Sequence, residues 1–134
     1  MLPAGSKGGG TCLGVPDVCN VPAAPSPIPM AFPNQAMLAN ASQTSAKVLF
    51  ENKDAVVEMS EIPNSSGDES GSAGGLISGT FAQKVVFRKG SSKVMAEGKP
   101  VVFLTTMTAH NGANANVPVG LHDSPSQAKV LVMP

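Results

Sequence analysis

The sequence has no Trp, no Tyr and only five Phe. A core with so few large rings must be filled mainly by Val, Met and Ala, and small side chains bury little area each. The layers of such a fold must lie close together, or a tight backbone, a metal or a partner surface must supply rigidity. Charge is also sparse: nine basic residues balance nine acidic ones, and Arg88 is the only arginine. Nucleic-acid binders need a basic patch with Arg or aromatic contacts, and anionic membranes recruit polybasic segments, so neither role is expected. No apolar run approaches the length of a membrane span. The start, Met1 to Gly10, holds one lysine, three consecutive glycines and no apolar h-region. No signal peptide is therefore expected, and the chain begins in a cytoplasm or leaves it by a route that reads no cleavable signal.

Catalytic motifs are missing as well. There is no G-x-S-x-G elbow, and Gly8-Gly9-Gly10 is not followed by the Lys-Ser/Thr of a phosphate loop. Gly67-Asp68 does not open a calcium loop. A Cys19–His110–Asp123 arrangement is a weak hydrolase signal, and no enzyme is expected.

What is present is punctuation. Gly and Pro account for 14 and 12 of the 134 residues, interleaved with short Val-rich runs. This pattern reads as one all-β domain of short strands and tight turns. Residues 1–15, with Gly5, Gly8, Gly9, Gly10 and Gly14, are expected to be a flexible segment before a domain over 16–134. Residues 16–34 hold six prolines. Proline fixes φ and removes a donor, so this stretch is expected to be an extended strap and not a central strand. Residues 35–44 suit one or two helical turns behind an Asn34 cap. Strands are expected over 46–51, 55–60, 80–87, 92–97, 99–105 and 127–133, with Glu97-Gly98-Lys99-Pro100 as a hairpin turn.

A local echo recurs at irregular spacing: Ala46-Lys47-Val48-Leu49, Gln83-Lys84-Val85-Val86, Ser92-Lys93-Val94-Met95 and Ala128-Lys129-Val130-Leu131. It reads as Lys outward and Val inward on short strands, or as chance reuse of common β residues. Two Cys and two His, namely Cys12, Cys19, His110 and His122, are the soft-ligand candidates and suit tetrahedral zinc. Their spacing is not that of a zinc finger. Each also has a plain reading, Cys12 as a surface thiol and Cys19 as a buried core residue. A Cys12–Cys19 disulfide is not expected in a cytoplasm.

Several segments together resemble the PAAR-like proteins that cap the spike of the bacterial type VI secretion system. They are Pro16-Asp17-Val18-Cys19-Asn20, the strap Pro25-Ser26-Pro27-Ile28-Pro29-Met30-Ala31-Phe32-Pro33-Asn34, and Asn64-Ser65-Ser66-Gly67-Asp68. Gly74-Gly75-Leu76-Ile77-Ser78-Gly79, Gly98-Lys99-Pro100-Val101-Val102, Met107-Thr108-Ala109-His110-Asn111 and the closing Ser124 to Leu131 follow in order. Similar proteins often carry Tyr where this strap has Phe32. The resemblance implies a small cone of β-hairpins whose base sits on the trimeric VgrG β-helix and whose apex is the point of the spike. It implies a monomer that is structural and not catalytic, made in the bacterial cytoplasm and exported on the spike with a separate effector. An adaptor or chaperone that binds an effector without capping a spike is the alternative. Relatives hold zinc near the apex through three His and one Cys, a set this chain lacks. Cys19 and His110 lie inside matching motifs and are the preferred ligands, with Cys12 and His122 behind them.

Overall fold

The computed structural model describes residues 1–134 apart from Ala24 and Ala113. The strands are β1 (Leu2–Pro3), β2 (Thr11–Val21), β3 (Ile28–Met37), β4 (Ser45–Phe50), β5 (Lys53–Ala55) and β6 (Glu61–Ile62). Then come β7 (Val85–Phe87), β8 (Met95–Ala96), β9 (Lys99–Pro100), β10 (Met107–His110), β11 (Val117–Ser124) and β12 (Leu131–Val132). One 3-10 turn, Leu38–Asn40, is the sole helical element among the described residues. The fold is all-β, as expected.

Six strands form one sheet in the order β3-β2-β11-β10-β7-β6. The strap is thus a long β2–β3 hairpin, and β2 is a central strand, contrary to expectation. Pro16 is tolerated there because it falls in a bulge, where the register with β3 shifts between Gly14 and Asp17 and no ladder donor is required. Pro29 and Pro33 lie on β3, the outer strand. The helix expected over 35–44 shrinks to the 3-10 turn, because Gln35, Ala36 and Met37 pair with Leu13, Cys12 and Thr11. Strand pairing outweighs the weak propensity of a ten-residue helix. The strand expected over 80–87 begins only at Val85, since Ala82 and Gln83 give their N–H groups to the side chains of Asp68 and Asn111.

The remaining strands make three two-stranded units: β4–β5, β8–β9 and β12–β1. Their backbones are joined in a closed ring. Gly5 N–H donates to Val102 O (2.6 Å), Val102 N–H to Val56 O (3.0 Å), and Val56 N–H to Gly5 O (3.0 Å). A second ring runs alongside: Lys7 N–H to Asp54 O, Glu58 N–H to Pro100 O, and Leu104 N–H to Pro3 O. Isolated bridges repeat the cycle at Ser6↔Ala55, Val57↔Val101 and Ala4↔Phe103. This is threefold pseudosymmetry within one chain, with the third unit assembled from the two chain ends. The first two units turn through Glu51-Asn52 and Glu97-Gly98, all four residues with positive φ, as two-residue hairpins of this hand require.

The ring explains both the composition and the Lys-Val echo. Its core is Ala4, Ala55, Val57, Ala96, Val101, Phe103 and Val132, all but Phe103 small side chains that a narrow triangle of backbone can enclose. Val48 on β4, Val94 just before β8 and Val130 just before β12 pack against this cluster, while Lys47, Lys93 and Lys129 are exposed. The fourth echo, Lys84-Val85, belongs to the large sheet, and Val85 enters a second core with Leu38, Val56, Ile62, Phe87 and Val102. Residues 1–15, expected to be flexible, carry ring contacts instead. Ala4 and Ser6 are buried, and Gly5 lies close enough to Val102 that small residues are needed to seat the segment.

Candidate metal centre

β2 emerges from its bulge with Asp17 and Cys19 on one face, as the period of two requires. Both are buried, and the loop after β6 brings Asp68 against them. One ligand atom from each of these three residues lies within 4.8 Å of the others. The Cys19 thiol donates to Asp17 Oδ1 at 3.4 Å and approaches Asp68 Oδ2 at 3.8 Å.

Three asparagines surround the cluster. Asn34 Nδ2 donates to Asp17 Oδ2 (3.2 Å), Asp68 Oδ2 (3.3 Å) and Ser65 Oγ (2.9 Å). Asn111 Nδ2 donates to Asp17 Oδ1 (3.2 Å) and Thr80 O (2.9 Å). Asn116 Nδ2 donates to Asp17 Oδ1 (2.5 Å) and Val18 O (2.9 Å), while its Oδ1 accepts from Ile77 N–H (2.8 Å). Ala82 N–H donates to Asp68 Oδ1 at 3.0 Å. The cluster therefore ties β2, β3, the 65–82 loop and the chain after β10 into one buried polar hub.

Electrostatics divides the two carboxyls. Burial raises Asp68 to about 7, helped by its hydrogen bond to Asp17 and repulsion from it. Burial alone would raise Asp17 too, but hydrogen bonds from Asp68, Asn116, Asn111 and Cys19 outweigh it and hold Asp17 below the ordinary carboxylate range. The pair thus shares a proton carried by Asp68. Burial and the two nearby carboxyls push the Cys19 thiol up to about 12.

A thiol and two carboxyls form a donor set suited to a metal such as zinc, and the asparagine amides already orient the carboxylates as outer partners do in metal sites. Such an ion would replace the shared proton and the thiol proton and cross-link the hub.

The four ligand candidates read from the sequence lie in three places. Cys19 is in the cluster. The His110 ring is buried elsewhere, stacked over Gly14 and Gly120; a Cβ on either would come within 2.7 Å and 2.6 Å of ring carbons. Its Nδ1–H donates to Asn34 Oδ1 (2.7 Å), and its Nε2 accepts from Thr108 Oγ1 (2.8 Å), so both nitrogens are engaged. Burial lowers His110 to about 4, leaving it neutral. Cys12 and His122 face each other across β2 and β11, both buried. His122 Nδ1–H donates to Thr11 O at 3.1 Å, and its Nε2 has no partner among the described residues. Burial pushes the Cys12 thiol up and His122 down. Asp123 accepts from Thr11 Oγ1, and both His110 nitrogens are taken by Asn34 and Thr108, so no such triad assembles. Asp17 and Asp68 are the site residues that the sequence reading missed. Asp17, two residues before Cys19, was open to discovery from strand alternation; Asp68 is brought in only by the fold.

A short all-β cone with a threefold ring at one end and a buried ligand cluster toward the other is a PAAR-like domain. The toxin PAAR-like domain family matches residues 10–117, and the chain belongs to that family. No curated protein and no solved structure matches it. Family membership gives this domain a structural role, in keeping with a cluster whose polar groups are turned on one another and buried.

Proposed function

We propose that the chain is a spike tip that caps the end of a trimeric VgrG β-helix in a type VI secretion system. One observation carries this reading: a single chain closes a threefold ring of backbone hydrogen bonds. On one side of that ring, β4, β8 and β12 each have a strand partner on one edge only among the described residues. Val48, Val94 and Val130 turn inward there yet remain half-buried, because no further layer covers them. Three open strand edges around an uncovered apolar floor match the end of a three-stranded helical prism, whose own final N–H and C=O groups also need partners. The monomer thus meets a trimer through three near-equivalent sides.

At the other end the hub acts as a staple, with a metal held by Asp17, Cys19 and Asp68 in place of the Cys12, Cys19, His110 and His122 set. An ion there supplies cross-links and no reaction. Export would follow assembly on the spike, with a separate effector as cargo. The test is to mix the purified chain with trimeric VgrG proteins that retain their C-terminal β-helix. One chain per trimer is expected, and Val48→Asp with Val94→Asp should abolish the complex. Failure to bind across plausible partners, or equal binding by that variant, would overturn the reading. Capture of an effector without any spike would favour an adaptor.

A further inference from the structure

Each joint of the ring leaves a cleft, and the three clefts are built alike. In each, the turn end of one unit stands beside the approach to the first strand of a neighbouring unit, always in the same rotational sense. Phe50, Glu51 and Lys53 line one cleft with Ser126 and Gln127, which lead toward β12. Ala96, Glu97 and Lys99 line the second with Thr44 and Ser45, at the start of β4. Pro134, just after β12, lines the third with Lys89, Gly90 and Ser92, which lead toward β8. Ser6, Val57 and Phe103 complete the three in turn, and these are the residues that bridge to Ala55, Val101 and Ala4 around the ring. The ladders agree: Phe50↔Lys53 and Ala96↔Lys99 occupy the position that Val132↔Leu2 fills in the third unit.

Each cleft also carries one lysine that lacks an opposite charge. Lys53 and Lys99 come from the turn side and Lys89 from the approach side, and all three are exposed. The ion pairs Lys84–Glu61 and Lys129–Glu51 do not use them. The two glutamates of the clefts are engaged elsewhere, Glu51 with Lys129 at 3.7 Å and Glu97 with the Ser45 hydroxyl at 2.5 Å. Two clefts measure about 210 Å³ and the third about 470 Å³. The smaller pair falls below the size of an ordinary small-molecule pocket and suits a side chain or two.

We propose that the three clefts receive a carboxylate-bearing segment from each of three identical chains, with Lys53, Lys89 and Lys99 each meeting one carboxylate. This rests on the reading of the ring as a cap on a trimer, and it names the chemistry of that partner: an acidic residue at the rim of its end, once per protomer. A small ligand has no use for three copies of its site around one axis. A trimer presents three copies of any segment at once, and their tethering turns the second and third contacts into intramolecular events. Exposed ion pairs that are weak singly are then sufficient together. Trimers with a basic rim would be repelled, so the same lysines select among partners.

The test measures the affinity of the full chain for trimeric VgrG proteins that retain their C-terminal β-helix, at low and high salt. Wild-type binding should weaken as salt rises. Lys53→Glu, Lys89→Glu and Lys99→Glu should each weaken it about fivefold, and together on the order of a hundredfold. All three positions are exposed, so an unchanged Tm verifies folding of the variants. Lys47→Glu with Lys93→Glu reverses two exposed charges of the same ring outside the clefts. That pair should cost about twofold, against roughly twenty-five-fold for Lys53→Glu with Lys99→Glu. A wild type that binds no such trimer would overturn the cap and this inference together. Full binding by the triple cleft variant, a loss confined to one lysine, or equal losses from the two double variants would overturn the clefts alone and leave the cap standing.

Discussion

The Asn34 side chain accepts a 2.7 Å hydrogen bond from His110 and, through its amide nitrogen, donates to Asp17 and Asp68. One buried amide therefore couples the glycine-floored imidazole to the ligand cluster. Asn34→Ala would leave the His110 Nδ1–H and the carboxylates short of partners in a buried setting. Each unsatisfied group costs roughly 1–3 kcal/mol, so a loss of at least about 3 kcal/mol is expected in denaturant titration. Asn64→Ala, at an exposed position, should change stability by less than about 0.5 kcal/mol.

Gly14 and Gly120 form the floor beneath His110, and alanine at either should destabilise by roughly 1–3 kcal/mol through overpacking. The two differ in what they strike. The three atoms nearest to a Cβ at position 14 all belong to His110, whereas one at 120 also lies 2.8 Å from the Leu13 carbonyl oxygen. Adding His110→Ala should therefore recover most of the Gly14→Ala penalty and much less of the Gly120→Ala penalty. A double-mutant cycle measures the difference.

The Lys-Val echo was visible at 47–48, 93–94 and 129–130, and the Glu97-Gly98 turn followed from glycine chemistry. That three of the echoes form one ring was not visible, because β12 and β1 come from opposite chain ends and no local period links them. The strap was read as extended, but its central position rests on a bulge that absorbs Pro16. In the site, Cys19 was legible as a buried soft ligand. His110 draws the same reading from its residue type and its place in a matching motif, whereas its role is set by Asn34 and Thr108, distant from it on one side and two residues away on the other. Asp68 reaches Cys19 across a separation of 49 residues, which no spacing rule anticipates.

Acid should weaken the fold through His110. Its folded pKa of about 4 lies below the unfolded value of 6.5. The unfolded chain therefore binds more protons between these limits, and stability is lost as pH falls from 6.5 toward 4. For this one group the loss between pH 7.5 and 4.5 is about 2 kcal/mol. His122 shifts in the same direction, while Asp68, raised when folded, acts in the opposite sense. The measurement is consequently the difference between the wild type and His110→Gln, which can still donate to Asn34 and accept from Thr108. That difference should shrink steadily on acidification in urea titrations; a constant difference would show that His110 does not titrate in this range.

Metal binding can be resolved residue by residue. Cobalt(II) in place of zinc gives a thiolate charge-transfer band only where sulfur is a ligand. The band should appear with about one equivalent of cobalt, vanish in Cys19→Ser and Asp17→Asn, and persist in Cys12→Ser, His110→Gln and His122→Gln. It should also weaken as pH falls through about 7, because Asp68 then regains the proton that a metal must displace, and the Cys19 thiol, pushed up to about 12, is deprotonated only by the ion itself. Loss of the band in Cys12→Ser with retention in Cys19→Ser would move the site to the β2–β11 pair beside His122. Zinc should raise the Tm of the wild type and leave that of Cys19→Ser unchanged, since only a ligand bound to the folded state stabilises it.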